Sequence, residues 1–326
     1  MITTVDSTAS ALLSRSIRPF EARRDLGRVA DLIEICFADT LDPDGARYIQ
    51  RMRSAAGDPN MLRWASISAE WGNRTMGGYV WEEDSRLVGN LSLIPYSVHG
   101  RRRYLIANVA VHPEYRRRGI ARQLTSQAIT FCRQRGIPEV WLHVREENDP
   151  AVNLYRALNF NERARRTTWH SQSDYARGEA PAGLALGKRH KEDWNLQRQW
   201  LSQNYPPEVT WHLQFNINTL KPGLAGTLAR LFSETYLQQW AVQRDRRLEA
   251  AVAWQASSTF ANILWLAAPP QAEDETIRSL LLYARRQVPS HRPLSLDYPA
   301  RQSSDAIQSA GFKAYQTLIW MALDSI

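Results

Sequence analysis

Cysteine is almost missing from this chain: Cys36 and Cys132 are the only two in 326 residues, and both fall in apolar helical patterns. A disulfide framework is thereby excluded, and the two read as small core side chains in a reducing compartment. Long apolar runs are missing as well. No stretch approaches the length of a membrane-spanning helix, and Met1 to Ser16 has neither the basic start nor the continuous apolar run of a secretory leader. A cytoplasmic protein with no membrane partner is the expectation. None of the seven histidines pairs with another at metal-ligand spacing, and there is no Ser-His-Asp order or Gly-x-Ser-x-Gly elbow, so no metal and no serine hydrolase chemistry is expected. Asp39 to Gly45 has an acidic spacing like that of a calcium loop, but Arg51 stands where the bidentate glutamate belongs.

Positive charge is what the chain has in excess. Its formal net charge is +8, much of it in two arginine clusters, Arg101 to Arg103 and Arg116 to Arg118. The first reads as a solvated hairpin tip. The second suits phosphate, because a planar guanidinium matches phosphate oxygens. No helix-turn-helix, RNP-like or zinc-finger string accompanies the charge, which argues against nucleic acid as partner. The twelve tryptophans are scattered through apolar runs and read as core and pocket residues.

The most informative stretch is Val109-Ala-Val-His-Pro-Glu-Tyr-Arg116-Arg117-Arg118-Gly119-Ile120-Ala121-Arg122. It runs from a β-branched strand through an Arg/Gly loop straight into an amphipathic helix, in which Ile120, Leu124, Ala128, Phe131 and Cys132 recur at helical spacing until Gly136 and Pro138. Free amides at a helix start, the positive end of the helix dipole and nearby arginines together make an anion site. Gly119 lets the backbone approach closely.

Around it, Ile17 to Phe20 reads as a first strand, and Leu26, Val29, Ile33 and Phe37 mark one face of a helix. A second helix is expected over Ala46 to Met52. Gly78 to Glu82 and Leu87 to Tyr96 read as strands joined by a polar turn at Glu83 to Arg86. The strand carrying Asn108 follows, then Val140 to Val144, a short helix opening near Pro150, and Phe160 before another strand. Strands in succession, then strand-helix-strand-helix-strand, describe an α+β fold, a twisted mixed sheet flanked by helices on both faces.

These residues resemble the GNAT-type N-acetyltransferase superfamily. The Arg116-x-x-Gly119-x-Ala121 loop looks like its acyl-CoA signature, and Asn148, Asn153 and Tyr155 fall where its fourth-helix CoA contacts and general acid usually lie. The resemblance covers about the first half of the chain. It implies acetyl-CoA as co-substrate, held by Val109, Ala110, Val111, Arg116, Arg117, Arg118, Gly119, Ile120, Ala121, Arg122, Asn148, Asn153 and Tyr155. It also implies direct transfer to a primary amine of a small molecule or peptide, with Tyr155 giving a proton to the departing sulfur. Tyr155 reads equally as a core aromatic of its helix. The strand offers Asn108 where the family often has glycine or a carboxylate, and Glu82, Glu83, Asn108 acting through water, and His112 stand as alternatives for the base. Asp39, Asp42 and Asp44 read either as turn formers or as attractors of an amine. A CoA-binding regulatory or scaffold protein without turnover is the alternative function, and a homodimer is compatible with either.

The second half looks like a worn copy of the first. Asp245 to Ala253 echoes Asp84 to Ser92, Ile263 to Ala267 parallels the strand before the Arg/Gly loop, and Ala310-Gly-Phe312 matches Leu158-Asn-Phe160. The arrangement is similar to mycothiol synthase-like double acetyltransferases, with a catalytic domain over 1–172, a linker over 173–185 and a degenerate domain over 186–326. In the copy, Pro269 to Glu275 is acidic and lacks glycine, and Ile307 stands in the place of Tyr155. One working donor site per chain is therefore expected.

Overall fold

Asp84-Ser85 and Asp245-Arg246 stand in the left-handed backbone region, with φ of 49° and 63° in the first pair and 50° and 62° in the second. Two such residues in succession make the tight turn whose twist matches that of the strands it joins, so each pair closes a hairpin. Both hairpins also shift register just before the turn, between Trp81 and Glu82 and between Val242 and Gln243. The internal repeat is thus one of backbone geometry.

The computed structural model describes residues 17–58, 77–173, 183–211, 213, 215–232, 236–288 and 292–324. The expected leader-free start and most of the linker stretch lie outside the described residues. The chain divides into two units, Met1–Val144 with Asn148–Arg163 and Trp320–Ile326, and Arg145–Glu147 with Ala164–Ile319. Among the described residues no helix is long and apolar enough to cross a membrane.

The first unit contains β1 (Ile17–Pro19), α1 (Ala22–Phe37), α2 (Pro43–Gly57), β2 (Gly77–Glu83), β3 (Arg86–Val98), β4 (Arg101–Val111), α3 (Ile120–Gln134), β5 (Glu139–Arg145), α4 (Asp149–Arg156) and the first residues of β6 (Asn161–Ser171). Its strands lie in the order β1-β2-β3-β4-β5, antiparallel except for the parallel pair β4 and β5. One face is covered by α1 and α2, where Leu26, Val29, Ile33, Ile49 and Met52 pack with Val80, Leu87 and Ala110. The other carries α3. A Cβ on Gly89 would come within 2.9 Å of both Ile120 Cγ2 and Trp81 Cβ, so only glycine lets the start of α3 sit this close to the sheet.

The second helix starts earlier than Ala46. Asp42 accepts a hydrogen bond from the Gly45 amide at 2.6 Å with Pro43 in the first turn, a cap and proline pair that moves the boundary forward. Asp44 pairs with Arg47 at 2.8 Å, which places both carboxylates in local roles. The Arg101 to Arg103 cluster also needs correction. Arg101 and Arg102 are exposed beside the turn, but Arg103 is buried, 2.7 Å from Glu139 and over the Trp141 ring. Strand alternation turns it inward, and a carboxylate beneath makes the burial tolerable.

The second unit contains β7 (Ala185–Lys188), α5 (Trp194–Asn204), α6 (Pro207–Thr210), α7 (Gly223–Phe232), β8 (Leu237–Arg244), β9 (Arg247–Gln255), β10 (Asn262–Ala267), α8 (Asp274–Gln287), β11 (Leu294–Pro299), α9 (Ser304–Ser309) and most of β12 (Phe312–Asp324). Its order is β12-β6-β11-β10-β9-β8-β7. Its core gathers Trp240, Val252, Trp254 and Leu264 with Ile277 and Leu280 of α8. Strand ends are traded between the units: Trp320 and the residues after it count with the first, and β6 from Ala164 onward counts with the second.

Gly89→Val is expected to lower stability by about 1–3 kcal/mol through overpacking against α3, read as a drop in Tm. Gly57, where an added Cβ meets nothing within 4 Å, supplies the control, since Gly57→Ala should leave Tm nearly unchanged.

Candidate active site

The parallel pair β4 and β5 does not stay together. Its register runs Tyr104↔Val140, Leu105↔Trp141, Ile106↔Leu142 and no further, although β4 continues to Val111 and β5 to Arg145. The cause lies on the other edge of β4. Against β3 the register passes from Asn90↔Ala110 to Ser92↔Ala107, so one extra residue is accommodated, and Asn108 there takes a φ of 50°. Such a bulge bends its strand and increases its twist. Asn90, 1% exposed, pins it by donating from Nδ2 to the Asn108 carbonyl at 2.9 Å. Asn108 to Val111 is left without a β5 partner.

Directly after β4 the chain forms the Arg/Gly loop that precedes α3. His112 accepts from the Glu114 amide, and a short 3-10 turn over Pro113–Tyr115 ends at Arg116. Arg117 and Gly119 then adopt positive φ, 64° and 78°, and α3 begins. The first amide of this region to find a backbone acceptor is Gln123, bonded to the Gly119 carbonyl at 3.0 Å. From Arg117 through Arg122 the amides have no acceptor among the described residues. Successive unpaired N–H groups at the positive end of a helix of 15 residues fit a pyrophosphate without help from any one side chain. Around an added Cβ on Gly119 the nearest atom is 3.9 Å away, so the space above the loop is open.

The arginines divide into two groups. Arg116 donates from Nε to the Val111 carbonyl at 3.2 Å, and the Cys36 thiol shares that carbonyl at 3.3 Å. Arg118 reaches Glu83 at 3.3 Å and lies over the Tyr115 ring. These two shape the loop. Arg117 and Arg122 are exposed beside the free amides of the loop.

On α4, Asn148 is the N-cap, its Oδ1 accepting from the Ala151 amide at 3.2 Å. That cap explains why an asparagine stands there. Asn153 is exposed. Tyr155 is 5% exposed, with its ring edge-on to Phe160 at 6.0 Å. Burial pushes the phenol pKa up, so it keeps its proton at neutral pH. The residue is a core aromatic of its helix that carries a protonated phenol.

The alternatives for the base fare unequally. Glu82 is clamped by Arg18 at 2.9 Å, Arg24 at 2.7 Å and Arg28 at 3.1 Å. Against the cost of its burial these guanidinium groups hold its pKa down to about 2, which makes it a structural anion and no base. His112 is tied into its turn, with Nε2 3.1 Å from Arg86. Glu83 faces Arg118. His143, passed over in the sequence as one polar residue in a buried strand, is the first β5 residue beyond the last paired row. Its ring lies 4.9 Å from that of Trp320. Asn90 and Ser92 also went unnoticed, although two small polar residues inside the apolar run Leu87 to Ile94 were the available sign.

The second unit holds the same elements in a closed state. Its parallel pair β10 and β11 also stops after three rows, at Leu264↔Leu296, but β10 meets β9 in even register with no bulge. The gap is filled from within. The Tyr205 hydroxyl accepts from the Leu266 amide at 3.0 Å, and Asn204 Nδ2 donates to the Ala268 carbonyl and the Tyr298 hydroxyl, both at 3.0 Å. Buried Arg166 fixes this plug by donating to the Asn204 carbonyl at 2.7 Å and pairing with Asp297. At the start of α8 the amides of Thr276 and Ile277 are bonded to the Glu273 carbonyl, and acidic side chains line the first turn.

A hairpin, a bulged strand, an amide cradle and a helix crossing to a parallel neighbour define an acyl-CoA transferase class of fold. Residues 45–160 match the acetyltransferase (GNAT) family. An acetyltransferase of Pectobacterium atrosepticum is 30% identical over 136 residues, 42% of this chain and 81% of that protein. The chain belongs to the GNAT acetyltransferase family. The [ribosomal protein bS18]-alanine N-acetyltransferase of Escherichia coli K12 is 39% identical over 67 residues, 21% of this chain and 45% of that enzyme, so the match spans under half the length of that relative. A tandem GNAT protein from the clavulanic acid biosynthesis pathway superposes over 94% of this chain and 98% of its own with a TM-score of 0.50 at 16% identity, which extends the fold likeness to the tandem form.

The clamp on Glu82 gives a signed pH dependence. Its pKa falls from 4.5 to about 2 on folding, so its contribution to stability is complete above about pH 4.5 and is lost as pH falls toward 2. Glu82→Gln is expected to show a smaller loss of Tm than the wild type across that window; equal acid sensitivity of the two proteins would contradict the clamp.

Proposed function

We propose that this protein is an acetyl-CoA-dependent N-acetyltransferase with one donor site, carried by a catalytic domain over 1–172, with 173–185 as linker and 186–326 as a degenerate repeat. The observation that carries the reading is the run of acceptor-free amides from Arg117 to Arg122 placed directly after a strand, Asn108 to Val111, that has left its parallel neighbour. A phosphate-bearing ligand held by the first would lay an extended arm along the second.

In this reading Arg117, Arg118, Gly119, Ile120, Ala121 and Arg122 hold the pyrophosphate, with Arg116 fixing the loop. Val109, Ala110 and Val111 offer strand backbone to the arm, and an amide there polarises the acyl carbonyl. Bound acetyl-CoA supplies an acyl thioester. Asn108 sets the bulge that exposes this backbone, Asn148 starts α4, and Asn153 and Tyr155 lie along it. Tyr155 holds the proton that a departing sulfur needs, and burial keeps its phenol protonated at neutral pH. The acceptor is a primary amine of a small molecule or peptide in the cytoplasm. The plugged gap of the second unit supports a single donor site.

Titration calorimetry is expected to find one acetyl-CoA per chain and none for Gly119→Glu, in which a carboxylate stands in the cradle. Thiol release against a panel of amines is expected for the wild type, and Tyr155→Phe should lower kcat about a hundredfold with the donor affinity unchanged. Donor binding without thiol release for any amine would favour a regulatory CoA binder, and two equivalent sites would overturn the single-site reading.

A further inference from the structure

Transfer to an amine requires a group that takes the amine's proton, and the clamped Glu82, the Arg118-paired Glu83, the loop-bound His112 and the amide side chain of Asn108 do not supply one. We infer that His143 is that group, the proton acceptor of the reaction. The assignment rests on the acetyl-transfer reading above.

Its place on the strand carries the argument. Tyr104 meets Phe131 of α3 at 5.9 Å, so the row Tyr104↔Val140 faces α3. Alternation along β5 then turns Val140, Leu142 and Val144 toward α3, and Trp141 and His143 toward the opposite face. The amide cradle lies at the start of α3, so a donor held there comes from the α3 side, which leaves the opposite face of the gap for the acceptor. His143 is the first β5 residue past the last paired row, one position beyond Leu142, at the level where β4 opens into the Asn108 bulge. It borders the gap on the acceptor side. Edge-on packing with Trp320, at 4.9 Å and 64°, limits the rotation of the ring. Burial lowers the imidazole pKa from 6.5 to about 4, so the ring enters the reaction uncharged, as a proton acceptor must.

The step balances without a further reagent. The amine nitrogen forms its bond to the acyl carbon and loses its proton to a ring nitrogen of His143. The carbon–sulfur bond breaks with its electron pair on sulfur, and the sulfur takes the proton of Tyr155. His143 then gives its proton to solvent and Tyr155 regains one from solvent, leaving amide and thiol.

The test compares wild type, His143→Gln, His143→Asn and His143→Gly with an amine that the wild type acetylates. Gln and Asn are expected to lower kcat at least about a hundredfold while acetyl-CoA binds as tightly as to the wild type, which also certifies the fold. Free imidazole is expected to restore part of the rate to His143→Gly, a recovery that a packing role would not give. A folded, donor-binding Gln or Asn variant within threefold of the wild-type kcat, or no imidazole rescue, overturns the assignment alone. A wild type that releases no thiol with any amine overturns the transfer reading and this assignment with it.

Discussion

Everything at this site depends on one parting of strands. Parallel neighbours satisfy each other's backbone groups along their length, and β4 and β5 give that up after three rows. Each unpaired amide or carbonyl left buried costs about as much as a lost hydrogen bond, so a parting survives only if it is held open and something satisfies the exposed edge. The bulge at Asn108 holds it, with Asn90 Nδ2 on the Asn108 carbonyl replacing a ladder bond. The edge from Asn108 to Val111 is what an extended ligand would satisfy. The same bulge aims the end of β4 at the loop where Arg117 and Gly119 reverse the backbone and bare the amides of α3.

The second unit is the internal control. It repeats the hairpin turn to within a degree or so of φ and repeats the parting after three rows, yet it satisfies its own edge. Tyr205 and Asn204, at the end of α5, bond to Leu266 and Ala268 where the first unit leaves strand backbone open. Its helix start is closed by backbone bonds and lined by carboxylates. The two units therefore treat the same parting differently: the second supplies partners from its own chain, and the first does not.

Much of this was legible in the residues. The period of Ile120 to Cys132, the glycine at 119 and the strand before it give the strand, loop and helix with its bared amides, because those signals are local. The acidic, glycine-free stretch at Pro269 to Glu275 gives the carboxylate-lined start of α8. What stayed hidden is what depends on partners distant in sequence. Arg103 looks like part of an exposed charge run until Glu139 of a neighbouring strand appears beneath it, and Glu82 looks like a free carboxylate until three arginines from β1 and α1 close on it. The plug at Asn204 and Tyr205 carries no motif at all. His143 reads as one polar residue in a buried strand, and only the row at which pairing stops gives it a place at the gap.

The measurement that bears most directly on the account is amide hydrogen exchange with and without acetyl-CoA. The account predicts that the donor slows exchange at the amides of Arg117 through Arg122 and along Val109 to Val111, and leaves Leu266 and the start of α8 unchanged. Slowing confined to the second unit, or no slowing at either place under saturating donor, would contradict it.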